Sequence, residues 1–95
     1  MQVKWTKPAA KSLAAIQDYI AQDNPHAAYS VTQKIYQSVS HLTNHPELGR
    51  PGRLKDTHEL IVPGLPFVAA YRIKDNEIQI LAIYHTSRKW PESFD

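Results

Sequence analysis

The sequence predicts a single α+β domain in which a short N-terminal strand and an antiparallel helical hairpin precede a three-stranded antiparallel meander. Two patterns predict this fold. Apolar residues recur with the 3.6-residue period of an amphipathic helix in the first half of the chain, and with the two-residue period of a strand in the second. The 95 residues, 42% hydrophobic and 21% charged, have the composition of one globular domain. We therefore assign residues 1–95 to a single domain.

The first elements are a short strand at residues 3–5 and a helix. Thr6 is suited to cap the helix, because its hydroxyl can accept a bond from an unpaired N–H of the first turn. Pro8 fits in that turn, where a missing N–H costs nothing. The helix is expected to end near Gln22. Its buried stripe consists of Ala9, Leu13, Ile16 and Ile20.

A second helix follows almost directly. Asn24 is a good N-cap, Pro25 begins the helix, and the segment 44–46, Asn-His-Pro, ends it. Two helices joined by so short a link should pack as an antiparallel hairpin. The apolar stripe of the second helix consists of Ala28, Val31, Ile35, Val39 and Leu42.

Three strands form the second half of the chain, at residues 58–62, 67–73 and 78–84. A Pro-Gly-Leu-Pro turn at 63–66 joins the first two. A polar turn at 74–77 joins the last two at hairpin spacing. The three strands should therefore form an antiparallel meander.

Alternation of side chains assigns the two faces of the meander. One face carries Phe67, Ala69, Tyr71 and Ile73, matched on the last strand by Ile78, Ile80, Ala82 and Tyr84. The opposite face of the last strand carries Leu81, Ile83 and His85. Both sets are mostly apolar, as expected of a central strand. We expect the hairpin to cover one face, and the other to be open, partly polar and to carry His85.

Composition excludes several kinds of chemistry. The chain has no cysteine, so disulfides, thiol nucleophiles and thiolate metal sites are excluded. No apolar run approaches the roughly 18 residues that a membrane span needs, and a cytoplasmic location fits. Of the five histidines, His41 and His45 have helical spacing, but Pro46 ends the helix there. We expect no metal and no cofactor.

The net charge of +2 is too small to demand a nucleic-acid partner, so the distribution of the cations matters more. Arg50, Arg53 and Lys55 lie in one stretch without an acidic residue, and Arg72 follows later. A fold that gathers them on one side would have an anion-binding surface. A scattered set of solvated cations is an equally open alternative.

The junction that follows the last strand is the strongest candidate for function. His85 ends the apolar run, and Arg88, Lys89 and Trp90 follow within five residues. A strand end holds side chains rigidly while the next residues reach solvent. The alternative is that His85 and Arg88 only solvate a strand end.

The order of these elements resembles the RelE/ParE superfamily of toxins from bacterial type II toxin–antitoxin modules, over essentially the whole chain. The resemblance lies in the helix stripe at 13–21, the linker His-Pro-Glu-Leu-Gly-Arg at 45–50, Glu-Leu-Ile-Val at 59–62, Tyr-Arg-Ile at 71–73, and the run from 80 to 91. The chain departs from close relatives at His58, where the similar pattern usually has arginine, and at Tyr84 and Thr86, which flank the histidine.

The resemblance implies a growth-inhibiting toxin, with two different activities open. ParE-like members are similar to inhibitors of DNA gyrase, for which a binding surface suffices. That reading implies a target-binding surface. Its residues would be Arg50, Arg53, Lys55, Arg88, Lys89 and Trp90.

RelE-like members resemble metal-independent, ribosome-dependent mRNA endonucleases. In that reading His85 moves a proton and Arg88 stabilises charge on the phosphate, with Arg53 and Arg72 as further cations. The stretches 59–62 and 67–70, however, lack the cations that such nucleases present. The sequence therefore favours the gyrase inhibitor over the nuclease, and a degenerate relative that only binds antitoxin is a weaker third hypothesis.

The resemblance also implies partners. A cognate antitoxin should bind the chain, with Trp5, Leu13, Ile16 and Ile20 as candidate contacts. The target would be gyrase or the ribosome with its mRNA, and operator DNA would be reached only through the antitoxin. No membrane partner is implied.

Overall fold

A computed structural model describes residues 1–87 of the chain. Two helices, α1 (Lys7–Ala21) and α2 (Pro25–Ser40), are followed by a short 3₁₀ helix at His41–Thr43. Five strands complete the fold. They are β1 (Gln2–Trp5), β2 (Arg50–Pro51), β3 (His58–Ile61), β4 (Phe67–Lys74) and β5 (Glu77–His85).

The strands form one sheet in the order β1-β5-β4-β3-β2. The meander β3-β4-β5 is antiparallel as predicted, and the helical hairpin precedes it. The sequence did not reveal that β1 pairs in parallel with β5, with Gln2 opposite Glu77, or that Arg50 and Pro51 form an edge strand. The α+β fold class is confirmed, with a five-stranded mixed sheet.

Each helix begins directly after a residue whose side chain caps its first turn. The Thr6 hydroxyl accepts a hydrogen bond from the Ala9 N–H at 3.3 Å, and the Asn24 side chain accepts one from the Ala27 N–H at 3.0 Å. Each bond satisfies one of the N–H groups that a helix start leaves unpaired. Both predicted N-caps are confirmed. In the part of the chain that the structure describes, no helix is long and apolar enough to cross a membrane.

The hydrophobic core lies between the hairpin and one face of the sheet. The fully buried side chains include Ile35, Val39 and Leu42 from the helical half and Ile78 and Ile80 from β5. Leu13 and Ile16 of α1 pack against this cluster and are half-buried. The core therefore uses the stripes that helical periodicity predicted.

A bulge in β5 corrects the predicted faces of the last strand. Ala70 pairs with Ala82 but Tyr71 pairs with Ile80, so Leu81 is an extra residue in the ladder. An extra residue inverts the alternation beyond it. Ile83 therefore joins Ile78 and Ile80 in the core, and His85, which pairs with Phe67, lies at the end of this helix-covered face. The prediction that His85 lies opposite the helices is wrong.

The face that was expected to be open is also closed at its centre. Val68, Ala70 and Ala82 are each less than one-tenth exposed, although none of them belongs to the core cluster beneath the helices. Ile61, opposite Val68 on β3, is 47% exposed. Apolar exposure on this face is therefore confined to the edge of the sheet.

Helix α1 and its N-cap Thr6 close the edge of β5 from Ile80 onward, where the pairing with β1 ends. The Thr6 hydroxyl donates to the Ile80 carbonyl at 2.7 Å, and the Ile83 N–H donates to the Ser12 hydroxyl at 2.9 Å. These bonds satisfy edge groups that would otherwise offer a pairing template.

The β4–β5 turn gives a first testable prediction. Asp75 and Asn76, the two residues between the strands, have positive φ angles of 54° and 58°. Glycine adopts this conformation without strain, and a two-residue turn of this kind favours glycine second. We expect Asn76→Gly to raise the free energy of unfolding by about 0.5 kcal/mol, measured by urea denaturation. A loss of stability would contradict this account of the turn.

Candidate functional site

His85 lies at the very end of β5. Its ring meets the Phe67 ring edge-on, with centroids 5.5 Å apart. Its Nδ1 accepts a hydrogen bond from the Ser87 N–H at 3.2 Å and lies 2.8 Å from the Ser87 hydroxyl. The imidazole is therefore held by its neighbours on both sides.

These contacts determine what the ring can do. A nitrogen that accepts from a backbone N–H carries the lone pair, so a neutral His85 has its proton on Nε2. In that tautomer the outward nitrogen is a hydrogen-bond donor. To act as a base through Nε2, the ring would have to shift its proton to Nδ1 and lose the bond from Ser87. The geometry suits binding better than proton transfer.

Tyr84 is the neighbour of His85 on the opposite face of β5. It is half-buried and pairs with Val68. Burial raises the pKa of Tyr84 to about 12. The hydroxyl is therefore protonated near neutrality and can donate a hydrogen bond.

Two of the predicted cations are held out into solvent by a compact turn. The Gly52 N–H donates to the Thr57 carbonyl at 2.8 Å, and the Thr57 hydroxyl donates to the Leu54 carbonyl at 2.6 Å. This closes residues 52–57 into a turn on which Arg53 and Lys55 are exposed. A folded turn presents its charges with a smaller loss of conformational entropy on binding than a free loop.

Arg50 has a different environment. Its Nε lies 3.6 Å from a carboxylate oxygen of Glu59, whose side chain is 9% exposed. Part of the Arg50 charge is therefore compensated within the chain, whereas neither Arg53 nor Lys55 has an ion-pair partner among residues 1–87. Sequence reasoning missed Glu59, although its place among Leu60, Ile61 and Val62 in a strand marks it as a carboxylate next to the core.

Arg72 lies far from His85. Its Nε donates to the Gln79 side-chain carbonyl at 2.7 Å, and Gln79 donates to the Glu77 carboxylate at 2.9 Å. Phe67, the partner of His85, is five residues from Arg72 on β4, or about 17 Å at the rise of a strand. Arg53 follows the end of β2 at Pro51, which pairs with His58 at the same distant end of the sheet. The fold therefore does not bring Arg53 or Arg72 to His85.

The linker between the helices and the sheet is anchored by Tyr71. The fully buried Tyr71 hydroxyl accepts from the Gly49 N–H and donates to the Pro46 carbonyl, both at 2.8 Å. Burial raises the pKa of Tyr71, so the hydroxyl keeps the proton that it donates. His58 stacks on the Tyr71 ring with centroids 5.1 Å apart. This packing holds the His-Pro-Glu-Leu-Gly-Arg segment against the sheet.

The predicted antitoxin contacts lie on the helical side of the molecule. Leu13, Ile16 and Ile20 are half-buried on α1, and Leu13 and Ile16 pack on the core. Trp5 is half-buried and stacks on Tyr36 of α2 with centroids 5.3 Å apart. The most exposed large apolar side chains of the hairpin are its three tyrosines. These are Tyr19 at 74%, Tyr29 at 62% and Tyr36 at 53%.

Arg88, Lys89 and Trp90 lie outside the described residues, so their predicted roles rest on the sequence. Within residues 1–87, no three His, Asp or Glu side chains come together in a way that could hold a metal ion.

Comparisons with known proteins identify relatives over almost the whole chain. Residues 3–90 match the family model of the ParE toxin of the type II toxin–antitoxin system parDE. The chain is 37% identical over 91 residues to Y4kP, a toxin candidate of Sinorhizobium fredii, covering 96% of this chain and 94% of that protein. It is 34% identical over 87 residues to the toxin RelE2 of Caulobacter vibrioides, covering 92% and 97% of the two chains.

A solved structure is similar over almost the same span. A chain of the chromosomal ParDE toxin–antitoxin system from P. aeruginosa superposes with a TM-score of 0.81 and 36% sequence identity, covering 90% of this chain and 95% of that one. Fold and sequence together define a toxin of a type II toxin–antitoxin system. The chain belongs to the ParE toxin family within the RelE/ParE superfamily. The resemblance read from the sequence is confirmed.

Proposed function

We propose that this toxin arrests growth by binding DNA gyrase and is neutralised by a cognate antitoxin in the cytoplasm. The observation that carries the proposal is the surroundings of His85. Its Nδ1 is engaged by Ser87, and Arg53 and Arg72 lie at the other end of the sheet. Cleavage of RNA without metal needs a proton carrier with a cation beside it, and within residues 1–87 neither of the candidate cations Arg53 and Arg72 lies beside His85. Binding needs only a rigid, accessible surface.

The antitoxin half of the proposal has its own support. The P. aeruginosa relative with the same fold is part of a ParDE toxin–antitoxin system. In this chain the hairpin exposes three tyrosines, one of which stacks on Trp5, and these aromatic side chains offer apolar area for a partner to cover. We propose that the antitoxin contacts Trp5, Leu13, Ile16 and Ile20 on this side. Operator DNA would then be bound only through the antitoxin.

The 34% identical relative from Caulobacter vibrioides is named as a RelE toxin, so the nuclease alternative needs a direct test. Purified toxin is added to a gyrase supercoiling assay and, separately, to a translation extract in which mRNA cleavage is mapped. We expect inhibition of supercoiling and intact mRNA. A toxin inactive in both assays, but co-purifying with a co-expressed antitoxin, would instead identify the degenerate relative.

His85→Gln separates binding from catalysis in the same two assays. Glutamine retains polarity and approximate size but cannot shuttle a proton. A gyrase inhibitor should keep its potency within about threefold, whereas loss of a general acid or base costs about 10²-fold in rate. Cleaved mRNA whose yield falls about 100-fold in His85→Gln would establish the nuclease and refute our proposal.

A further inference from the structure

The end of the sheet opposite His85 contains a cavity of about 560 Å³. It opens where β3 begins and β4 ends, next to the linker and the 52–57 turn. Its volume is within the range of small-molecule sites, about 300–1,000 Å³, although it is open to solvent rather than enclosed. Its walls are formed by Glu47, Asp56, His58, Arg72, Ile73 and Lys74.

Arg72 is oriented in this cavity by a neutral partner. The Gln79 side chain accepts from Nε at 2.7 Å and is itself fixed by Glu77 at 2.9 Å. Arg72 is half-buried, and within residues 1–87 no carboxylate lies within ion-pair distance of its guanidinium. The bond to Gln79 therefore restrains the guanidinium, and its two terminal nitrogens have no carboxylate partner among residues 1–87. Such a guanidinium can bind phosphate in bidentate geometry.

The basic and the acidic side chains that line the cavity come from different elements. Arg72 and Lys74 come from β4. The acidic residues come from other elements, Glu47 from the linker and Asp56 from the turn, and both are exposed. The Glu47 carboxylate lies 3.9 Å from the His58 Nε2. A simple anion would be repelled by these carboxylates, and a simple cation by Arg72 and Lys74. The complementary ligand carries a phosphate at one end and hydrogen-bond donors at the other.

We propose that this cavity binds a nucleotide unit, with the phosphate on Arg72 and Lys74 and the N–H donors of a guanine base on Glu47 or Asp56. Guanine presents neighbouring N–H and NH₂ donors on its pairing edge, which a carboxylate can accept together. The unit can be a free nucleotide or one residue of single-stranded RNA. The cavity adjoins the 52–57 turn, which carries the candidate target contacts Arg53 and Lys55, but neither of these residues lines it. Nucleotide binding is measured without gyrase, so the proposal does not depend on that function.

Isothermal titration of the purified full chain tests the proposal, with GMP, inorganic phosphate and a guanine-containing RNA hexamer as separate probes. We expect saturable binding of GMP or of the hexamer with a Kd below about 1 mM. Binding of GMP identifies a free nucleotide as sufficient, and binding of the hexamer alone identifies RNA. Both outcomes support the site.

Two substitutions identify the residues that bind. Arg72→Gln should weaken binding by about tenfold or more, since it removes charged hydrogen bonds to phosphate. Gln79→Glu keeps the size of the side chain but places a carboxylate against Nε, so it should weaken binding by a similar factor. The exposed cation Lys11 provides the matched control, and Lys11→Gln should bind as the unchanged chain does. Circular dichroism checks that each variant is folded.

Three results would overturn the inference. They are the absence of saturable binding to GMP and hexamer at millimolar concentration, unchanged binding by folded Arg72→Gln, and inorganic phosphate that binds as tightly as GMP. Equally tight binding of inorganic phosphate would show that Glu47 and Asp56 do not contribute to binding.

Discussion

Replacing Gly49 by alanine is expected to lower the free energy of unfolding by about 3 kcal/mol, a large part of the 5–15 kcal/mol typical of a domain. An added Cβ would lie 2.7 Å from both the Tyr71 ring and its hydroxyl oxygen, and 2.9 Å from the Glu59 carbonyl oxygen. Tyr71 is fully buried and stacked on His58, and Glu59 is fixed in β3, so neither can withdraw cheaply. Moving the linker instead would break the hydrogen bonds from Gly49 and to Pro46.

Gly64→Ala is the matched control for this prediction. Gly64 has a φ of +75°, which strains alanine, but an added Cβ there would approach only the flexible Lys34 Nζ. We expect a loss of about 1 kcal/mol from the backbone conformation alone. Urea denaturation of both variants measures the difference. Equal losses would show that the Tyr71 contact does not constrain the linker.

Local pattern was sufficient for the helices and for the meander, because caps, stripes and turns are read from neighbouring residues. Thr6, Asn24 and the polar turn at 74–77 all fall where their chemistry predicts. The parallel partner of β1 could not be read in this way. Its pairing with β5 joins residues some 75 positions apart, and nothing in a four-residue strand specifies a distant neighbour.

The bulge at Leu81 explains the largest error. Alternation assumes an uninterrupted ladder, and Ile80, Leu81, Ala82 and Ile83 are all apolar, so the sequence gives no sign of where a residue is inserted. The single extra residue moved Ile83 and His85 to the helix-covered face. The sequence of a strand that is apolar on both faces does not indicate its register, whereas alternation of polar and apolar residues does.

The sequence predicted only part of the candidate site. The sequence located His85 at a strand end and located the cations of the 52–57 turn, both of which are local facts. The predicted hairpin with its turn at 74–77 already places Arg72 beside the turn and His85 at the far end of the last strand, as the register confirms. The sequence could not show that the side chain of Gln79, a cross-strand partner of Arg72, orients the guanidinium.

Arg88→Ala is expected to abolish most of the growth arrest. Arg88 follows His85 by three residues, lies outside the described residues, and belongs to the dense group of cationic and aromatic residues that ends in Trp90. Arginine at the centre of a binding surface commonly contributes 2 kcal/mol or more, equivalent to about 30-fold in affinity for the target. We expect folding to be little affected, with a stability loss below about 1 kcal/mol that urea denaturation of the variant checks.

Growth of cells after induced expression measures the effect, with purified variants in the supercoiling assay as the direct readout. Lys11→Ala, which removes a charge of the same sign from the exposed side of α1, should leave growth arrest unchanged. The double variant His85→Gln with Arg88→Ala is the decisive test. If it is folded and fully toxic, the end of β5 is not the target-binding surface. The exposed Arg53 and Lys55 would then become the strongest candidates, because the closed 52–57 turn already holds them in a fixed presentation.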